Sequence, residues 1–446
     1  MHVAIIGNGI SGITAARWIR KLSDHKITVI SSESEHFYSR TALMYIYMGH
    51  MRFHDTKPYE DWFWEKNKID LIHDHVESIN FQENTLQLTS ENAVEYDHLI
   101  LALGSSSNKF GWPGQDLNRV GGLYNLQDLE DIEGHSTDLN RAVIAGGGLI
   151  GIELAEMYRS RSIPVTMLVR EGSFWNNVLP SEESAMINRE ILKHHIDLKL
   201  NSNLQEIVDD GKGNACAVIV KESGERIECG YVGLTAGVSP NIRWLKESSL
   251  ATNRGILVDK ELRTNIPNVW AIGDCAELQE PRTGRRGVEA IWYTGRMMGE
   301  TCAYNICGNK VDYDPGIWFN SAKFLDIEYQ VYGQVSAVTP EGSEALYWEH
   351  PDGNKSVRII YNKVSQIVEG FNLMGIRFRH EVCEKWLREE TNIVEVLSNL
   401  KLALFDPEFY RNDIDEVVKL YETKTGDSIK SKGVFNLNKV MAFLKS

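Results

Sequence analysis

His2-Val3-Ala4-Ile5-Ile6-Gly7-Asn8-Gly9-Ile10-Ser11-Gly12 stands almost at the start of the chain. A short apolar run is followed by glycines in the spacing G-x-G-x-x-G. Ile13, Ala16, Ile19 and Leu22 then recur at helical spacing, so the stretch reads as strand, tight turn and helix. The three glycines do different things. Gly7 permits the turn, Gly9 lets backbone approach a pyrophosphate, and Gly12 allows close packing of helix on strand. The helix mouth at Ile10 and Ser11 offers unpaired N–H groups and the positive end of a dipole to phosphate. The pattern recurs at Gly146-Gly147-Gly148-Leu149-Ile150-Gly151, after a strand at 141–145. One such turn is a weak signal. Two suggest two bound dinucleotides and electron transfer between them.

The bulk composition agrees with this. At 446 residues the chain is too long for one typical core, so two or three domains are expected. A net charge of −15 argues against nucleic acid as a partner, because phosphate contacts need clustered Lys and Arg. No apolar run is long enough for a membrane span. The first strand begins at once, leaving no room for a signal peptide, so a cytoplasmic enzyme is expected. The six cysteines form no C-x-x-C pair and no zinc-like cluster, so no metal site is expected and they read as buried free thiols.

The remainder of the first site is scattered along the chain. A strand at 27–30 leads to Ser31-Ser32-Glu33. Glu33 stands twenty-one residues past Gly12, where an acid accepts hydrogen bonds from an adenosine ribose. Ser32 is its rival for that place. Tyr96-Asp97-His98-Leu99-Ile100-Leu101-Ala102-Leu103-Gly104 reads as a strand ending in a small-residue turn. Asn268-Val269-Trp270-Ala271-Ile272-Gly273-Asp274-Cys275-Ala276 reads as a second strand, ending in Gly-Asp. An aspartate there can accept from a chain of sugar-like hydroxyls, or can simply cap a helix.

Taken in order, these segments resemble the two-dinucleotide-binding-domain flavoproteins of the pyridine nucleotide-disulfide oxidoreductase family. The resemblance covers about residues 1–335. It implies FAD on Gly7, Gly9 and Gly12, with Asp274, after Gly273, on the ribityl chain. It implies a backbone contact from Val76 to adenine. It matches the family's two small-residue turns to Ala102 and Gly104, and to Gly237 in Thr235-Ala236-Gly237. The implied fold is α/β, with two Rossmann-like dinucleotide-binding domains and a C-terminal α+β interface domain carrying extra helices. The FAD domain comprises 1–111 and 235–310. The NAD(P)H domain, 112–234, interrupts it, and the interface domain is 311–446.

The second turn implies NAD(P)H on Gly146, Gly148, Leu149, Ile150 and Gly151. A strand at 165–169 follows and ends in Arg170-Glu171. A carboxylate suits a ribose diol, whereas a guanidinium pairs with a 2′-phosphate. Val169 fills the place often held by an acid in NAD-preferring relatives, and Arg170 stands where NADP-preferring relatives have an arginine. The balance favours NADPH, although Glu171 is also placed to serve a diol. Glu153, in Gly-x-Glu-x-Ala, inherits a place near the nicotinamide. It is also a first-turn acid facing the helix dipole.

The chain departs from the disulfide reductases at Phe37-Tyr38-Ser39-Arg40-Thr41-Ala42-Leu43-Met44-Tyr45. Their redox cysteine pair belongs there, and no cysteine is present. The flavin must therefore reduce its acceptor directly. Phe37-Tyr38-Ser39-Arg40 instead resembles the Pro-Tyr-x-Arg-Pro segment of rubredoxin and ferredoxin reductases, nitrite reductase flavin domains and apoptosis-inducing factor, in which Arg40 would contact FAD. Its prolines are missing, and Tyr45 replaces a lysine. A helix over 288–308 is expected to point its N-terminus at the flavin, with Trp292 beside the isoalloxazine.

Beyond residue 310 the spacing predicts strands at 328–332, 345–349, 357–361 and 367–373, then helices near 380–389, 393–403 and 413–423. This segment implies a homodimer interface with a helical extension, which either packs as an extra layer or docks a partner. The whole reads as an FAD-dependent NAD(P)H oxidoreductase. Its acceptor is a small electron carrier such as rubredoxin or ferredoxin. Oxygen, a quinone or nitrite is the alternative, and a flavin-bearing sensing or assembly subunit is the alternative of another class.

Overall fold

The computed structural model describes residues 1–430 and 440–443. The end of the expected C-terminal domain, 431–439 and 444–446, lies outside the described residues. The chain divides into two compact units. The first comprises 1–139, 209–215 and 231–315; the second comprises 140–208, 216–230 and 316–446.

The first unit is built on a parallel five-stranded sheet. Its order is Val269–Ala271, His98–Leu101, His2–Ile6, Lys26–Ser31 and Ile69–His73. The central strands are continuous runs of buried Val, Ile and Leu, as a sheet covered on both faces requires. The helix Ile10–Leu22 follows the first strand, as its spacing predicts. It packs along the helix Trp292–Ile306. Two glycines one turn apart on that helix are used unequally. A Cβ at Gly299 would lie 2.4 Å from the Ser11 carbonyl oxygen, whereas one at Gly295 would find ordinary contact at 3.5 Å. The second helix also starts later than expected, at Trp292 rather than 288. Ile291 is extended, the Glu289 carboxylate is held by Arg285 at 2.7 and 2.6 Å, and the Thr294 hydroxyl turns back onto the Glu289 carbonyl. Those bonds fix 289–291 as a loop.

In the second unit, Ala142–Ala145, Val165–Val169 and Asp197–Leu200 run parallel. The C-terminal part forms an antiparallel five-stranded sheet. Its order is Phe319–Phe324, Ile327–Gly333, Val368–Met374, Ser356–Asn362 and Ser343–Glu349. The first of these strands was not among those the spacing predicts; its Lys and Asn interrupt the alternation. The helices His380–Arg388, Ile393–Asn399 and Pro407–Thr425 share one core with this sheet. Trp386, Val396, Leu397, Ile414, Val417 and Tyr421 pack with Leu346, Ile359 and Phe371. The extension is therefore a packed layer. The last helix starts at Pro407, six residues before the expected 413, because proline is favoured in a first helical turn. No helix among the described residues is long and apolar enough to cross a membrane.

A buried ion pair ties the helix Ser181–Lys193 to the C-terminal sheet. Arg358 meets Glu183 through two bonds of 2.7 and 2.8 Å, and both side chains are almost wholly buried. Asn372 donates to the same carboxylate at 3.2 Å, and the Tyr347 ring lies 4.5 Å from the guanidinium. Breaking such a pair strands one charge, at a cost of about 3–5 kcal/mol. Arg358→Met is expected to lower the unfolding midpoint sharply, and Glu183→Gln added to it is expected to restore part of the loss. Calorimetry of the two variants checks this; additive losses would mean the two side chains are not coupled.

Candidate nucleotide-binding sites

At the first glycine turn, backbone packs on backbone. Gly7 has φ +110°, and a Cβ there would lie 2.1 Å from the Ala102 carbonyl oxygen. A Cβ on Gly12 would lie 2.0 Å from the Gly7 carbonyl oxygen. Gly9 is different: nothing lies within 4 Å of where its side chain would start. It is the N-cap of the helix, no side chain caps that end, and no acid occupies its first turn. Ile10 and Ser11 open the helix around this space. The helix mouth thus presents N–H groups and a partial positive charge to an open approach, which suits a pyrophosphate.

The turn is braced from beneath. The Asn8 side chain donates to the Ser34 carbonyl at 2.7 Å and accepts from the Ser31 hydroxyl at 3.0 Å. Gly273 has φ +73°, and a Cβ there would lie 2.6 Å from the Ser11 hydroxyl. Ser11, Gly273 and Asp274 therefore meet at the carboxyl ends of the strands, the usual ligand crevice of such sheets. Ala102 backs Gly7, and Gly104, with φ +67°, faces the Tyr124 phenol.

Glu33 and Arg40 meet each other. The Arg40 guanidinium donates to both Glu33 oxygens, at 3.0 and 2.6 Å. Tyr38 and the Leu126 N–H also donate to the Glu33 carboxylate, the latter at 3.2 Å. Ser32 is exposed, and Val76 is buried at the start of the strand Val76–Asn80. Trp292 is half-buried, edge-on to Tyr293 at 5.5 Å.

Asp274 is the end of a polar chain that sequence reasoning did not find. Its Oδ2 accepts from Tyr124 Oη at 3.2 Å and from Ser105 Oγ at 3.3 Å. The Tyr124 carbonyl in turn accepts from Arg40. Burial pushes the Asp274 carboxyl above its ordinary value, against the pull of the two hydroxyl donors and Arg40. The one local sign of Tyr124 in the sequence is Asn125 with Asp128, a capping box that fixes where the next helix starts. It says nothing of where the phenol goes.

The second turn differs in its packing partner. Gly148 is an open, uncapped helix N-terminus, like Gly9, ahead of Leu149, Ile150 and the buried Gly151. Gly146 has φ +137°, and its N–H donates to the Leu168 carbonyl at 3.0 Å. The close approach comes at Gly147, where a Cβ would lie 2.7 Å from a Val169 methyl. Val169 is fully buried. Arg170 is three-quarters exposed and donates to Glu171 at 3.1 and 2.8 Å. Gly237 lies in the first unit, paired with Asn108.

Glu153 shares a helix face with Glu156, whose charge Lys323 balances at 2.7 Å. Burial, then the charge of Glu156, pushes the Glu153 carboxyl up to about 7. Thiol chemistry is poorly placed by contrast. Cys275, beside Asp274, is fully buried and pushed up to about 12, so it holds its proton at neutral pH.

A family model described as pyridine nucleotide-disulphide oxidoreductase matches residues 1–299. The chain belongs to that family. The NADH oxidase of Methanocaldococcus jannaschii is 27% identical over 405 residues, covering 84% of this chain and 88% of that protein. The NADH-rubredoxin oxidoreductase of Clostridium acetobutylicum is 27% identical over 312 residues, covering 70% and 76%. Other curated relatives are longer, and the chain spans about a third to a half of their length. A solved NAD-dependent persulfide reductase from A. fulgidus superposes with a TM-score of 0.83 at 21% identity, covering 96% of this chain and 84% of that one, which speaks for the fold alone.

Glu153 supplies a pH signature. A carboxyl raised above its unfolded value contributes its full stability below about 4.5 and loses it as pH rises through about 7. Glu153→Gln is therefore expected to melt close to the parent at pH 5 and several degrees above it at pH 8. Equal differences at both values would show that the carboxyl titrates normally. At the first turn, Gly12→Ala is expected to cost about 1–3 kcal/mol through overpacking, while Gly9→Ala leaves stability unchanged.

Proposed function

We propose that this protein oxidises NAD(P)H through bound FAD and passes the electrons directly to an acceptor, without a redox-active disulfide. The observation that carries the reading is the pair of open, uncapped glycine turns in a chain whose first-site thiol is buried and protonated. The residues present fit both groups. Gly9, Ile10 and Ser11 would hold the FAD pyrophosphate at the helix mouth, with Gly7, Gly12, Ala102, Gly104 and Gly273 keeping the backbone close around it. Asp274 would accept from the ribityl hydroxyls, and Glu33, positioned by Arg40, would serve the adenosine ribose ahead of Ser32. Val76 would meet adenine through its backbone. Gly146, Gly148, Leu149, Ile150 and Gly151 would hold the nicotinamide dinucleotide, with Gly237 at the second small-residue turn. Bound flavin supplies hydride acceptance and onward electron transfer. By the resemblance, Glu153 would stand near the nicotinamide and Trp292 near the isoalloxazine, each in its own unit.

Two supports favour a small electron-carrier protein as acceptor. The Clostridium relative is named for rubredoxin, and Phe37-Tyr38-Ser39-Arg40 resembles the segment found in carrier reductases. The Methanocaldococcus relative, matched over most of its length, favours oxygen as the second reading. Six free cysteines suit a reducing cytoplasm. The C-terminal sheet is the proposed homodimer surface.

Anaerobic titration of the purified protein with NADH and NADPH in parallel, followed by rubredoxin, ferredoxin or air, tests the reading. Bleaching of the flavin by a nicotinamide nucleotide and its rapid return with a carrier are the expected results. A protein that holds no flavin would refute it, and a reduced flavin that persists with every acceptor would point to a sensing subunit. Arg170 carries the preference for NADPH, since its exposed guanidinium can exchange Glu171 for a 2′-phosphate. Arg170→Ala is expected to raise KM for NADPH by ~10-fold and KM for NADH by less than about twofold. Equal effects on both would remove the preference.

A further inference from the structure

We propose that Tyr124 is the positioning residue that holds Asp274 as an acceptor for the ribityl chain, an inference that rests on FAD occupying the first site. Tyr124 is fixed at every polar atom. Its N–H donates to Asp128 at 2.6 Å, and its carbonyl accepts from Arg40. The Arg40 guanidinium also lies 4.7 Å from the centre of its ring. The phenol oxygen accepts the Ser105 N–H at 2.7 Å. With that lone pair occupied, the phenol proton is directed to Asp274 Oδ2, 3.2 Å away. The space it occupies depends on Gly104, where a Cβ would lie 3.0 Å from the phenol oxygen.

Both hydroxyl donors, Tyr124 and Ser105, fall on Asp274 Oδ2. Oδ1 would then be the oxygen to accept from a flavin hydroxyl. An ionised carboxylate accepts at both oxygens, whereas a protonated one must donate from one of them. Burial favours the protonated form. Tyr124, Ser105 and Arg40 oppose it, and the neighbouring Cys275 thiol stays neutral. Tyr124 is the one group that joins these influences, because it touches Arg40, Ser105 and Asp274 together. Its removal leaves Asp274 with a single hydroxyl donor and moves the loss of acceptor capacity toward neutral pH.

The experiment follows FAD release from the full-length holoprotein, by the rise of flavin fluorescence after dilution, between pH 5 and pH 8. Parent protein is expected to release FAD faster as the pH falls. Tyr124→Phe is expected to shift this profile to higher pH and to release FAD ~10-fold faster near neutrality, as loss of a hydrogen bond to a charged group predicts. Asp274→Asn is expected to release it quickly at every pH. A Tyr124→Phe profile that superimposes on the parent, or one accelerated by the same factor at every pH, overturns the proposal. Should that variant fail to fold, Ser105→Ala removes the other donor from the same oxygen: a shift in the same direction supports the proposal, and an unshifted profile overturns it. Parent protein that neither contains nor takes up FAD removes the first-site reading itself, a result distinct from a flavin-loaded parent with an unshifted variant.

Discussion

The carbonyl oxygen of Gly7 lies where a side chain on Gly12 would begin, and the first unit is arranged around that close approach. Four segments meet the mouth of the helix Ile10–Leu22 at distances no Cβ would survive: Gly7 against Ala102, Gly12 against Gly7, Gly273 against the Ser11 hydroxyl, and Gly299 against the Ser11 carbonyl. The result is a wall of backbone. Such a wall offers a ligand dipoles and N–H groups instead of rotatable side chains, so recognition of phosphate loses little conformational freedom on binding. The polar side chains Asp274, Glu33 and Arg40 are each held by several partners.

The second unit reaches a similar turn by another route. There the tight contact is between Gly147 and the Val169 side chain, not between two backbones. A buried valine at the end of that strand cannot bond a ribose. The next two residues, an arginine and a glutamate, bind each other. In the proposed reading a 2′-phosphate would have to break that pair to reach Arg170.

How much of this was legible follows from the range of the forces involved. The turns at Gly7 and Gly146, the helix Ile10–Leu22 and the strand Val165–Val169 are local, and spacing alone placed them closely. Asp274 could be singled out because Gly-Asp after an apolar strand is itself a local pattern. Its bond to Tyr124 could not, because the two residues stand 150 positions apart. The pairing of Glu33 with Arg40 was likewise unread, although each was singled out. The late start of the helix Trp292–Ile306 turned on an ion pair at its threshold, and the strand Phe319–Phe324 on neighbours along a sheet. Sequence pattern carries what a segment does alone, and tertiary hydrogen bonds decide the rest.

The two carboxyls at the heart of the sites show how one force is turned to different ends. Burial raises both Asp274 and Glu153. Asp274 receives two hydroxyl donors and a nearby guanidinium, each of which favours the anion. For Glu153 the charge of Glu156 adds to burial, and the carboxyl is pushed up to about 7. In the proposed reading, an acceptor for a hydroxyl chain gains from the anion those donors favour. A side chain placed beside a nicotinamide, as the proposed reading has Glu153, would gain from a charge that can adjust with little cost in free energy. The hydroxyl donors on Asp274 and the neighbouring charge beside Glu153 are thus the difference between the surroundings of the two carboxyls.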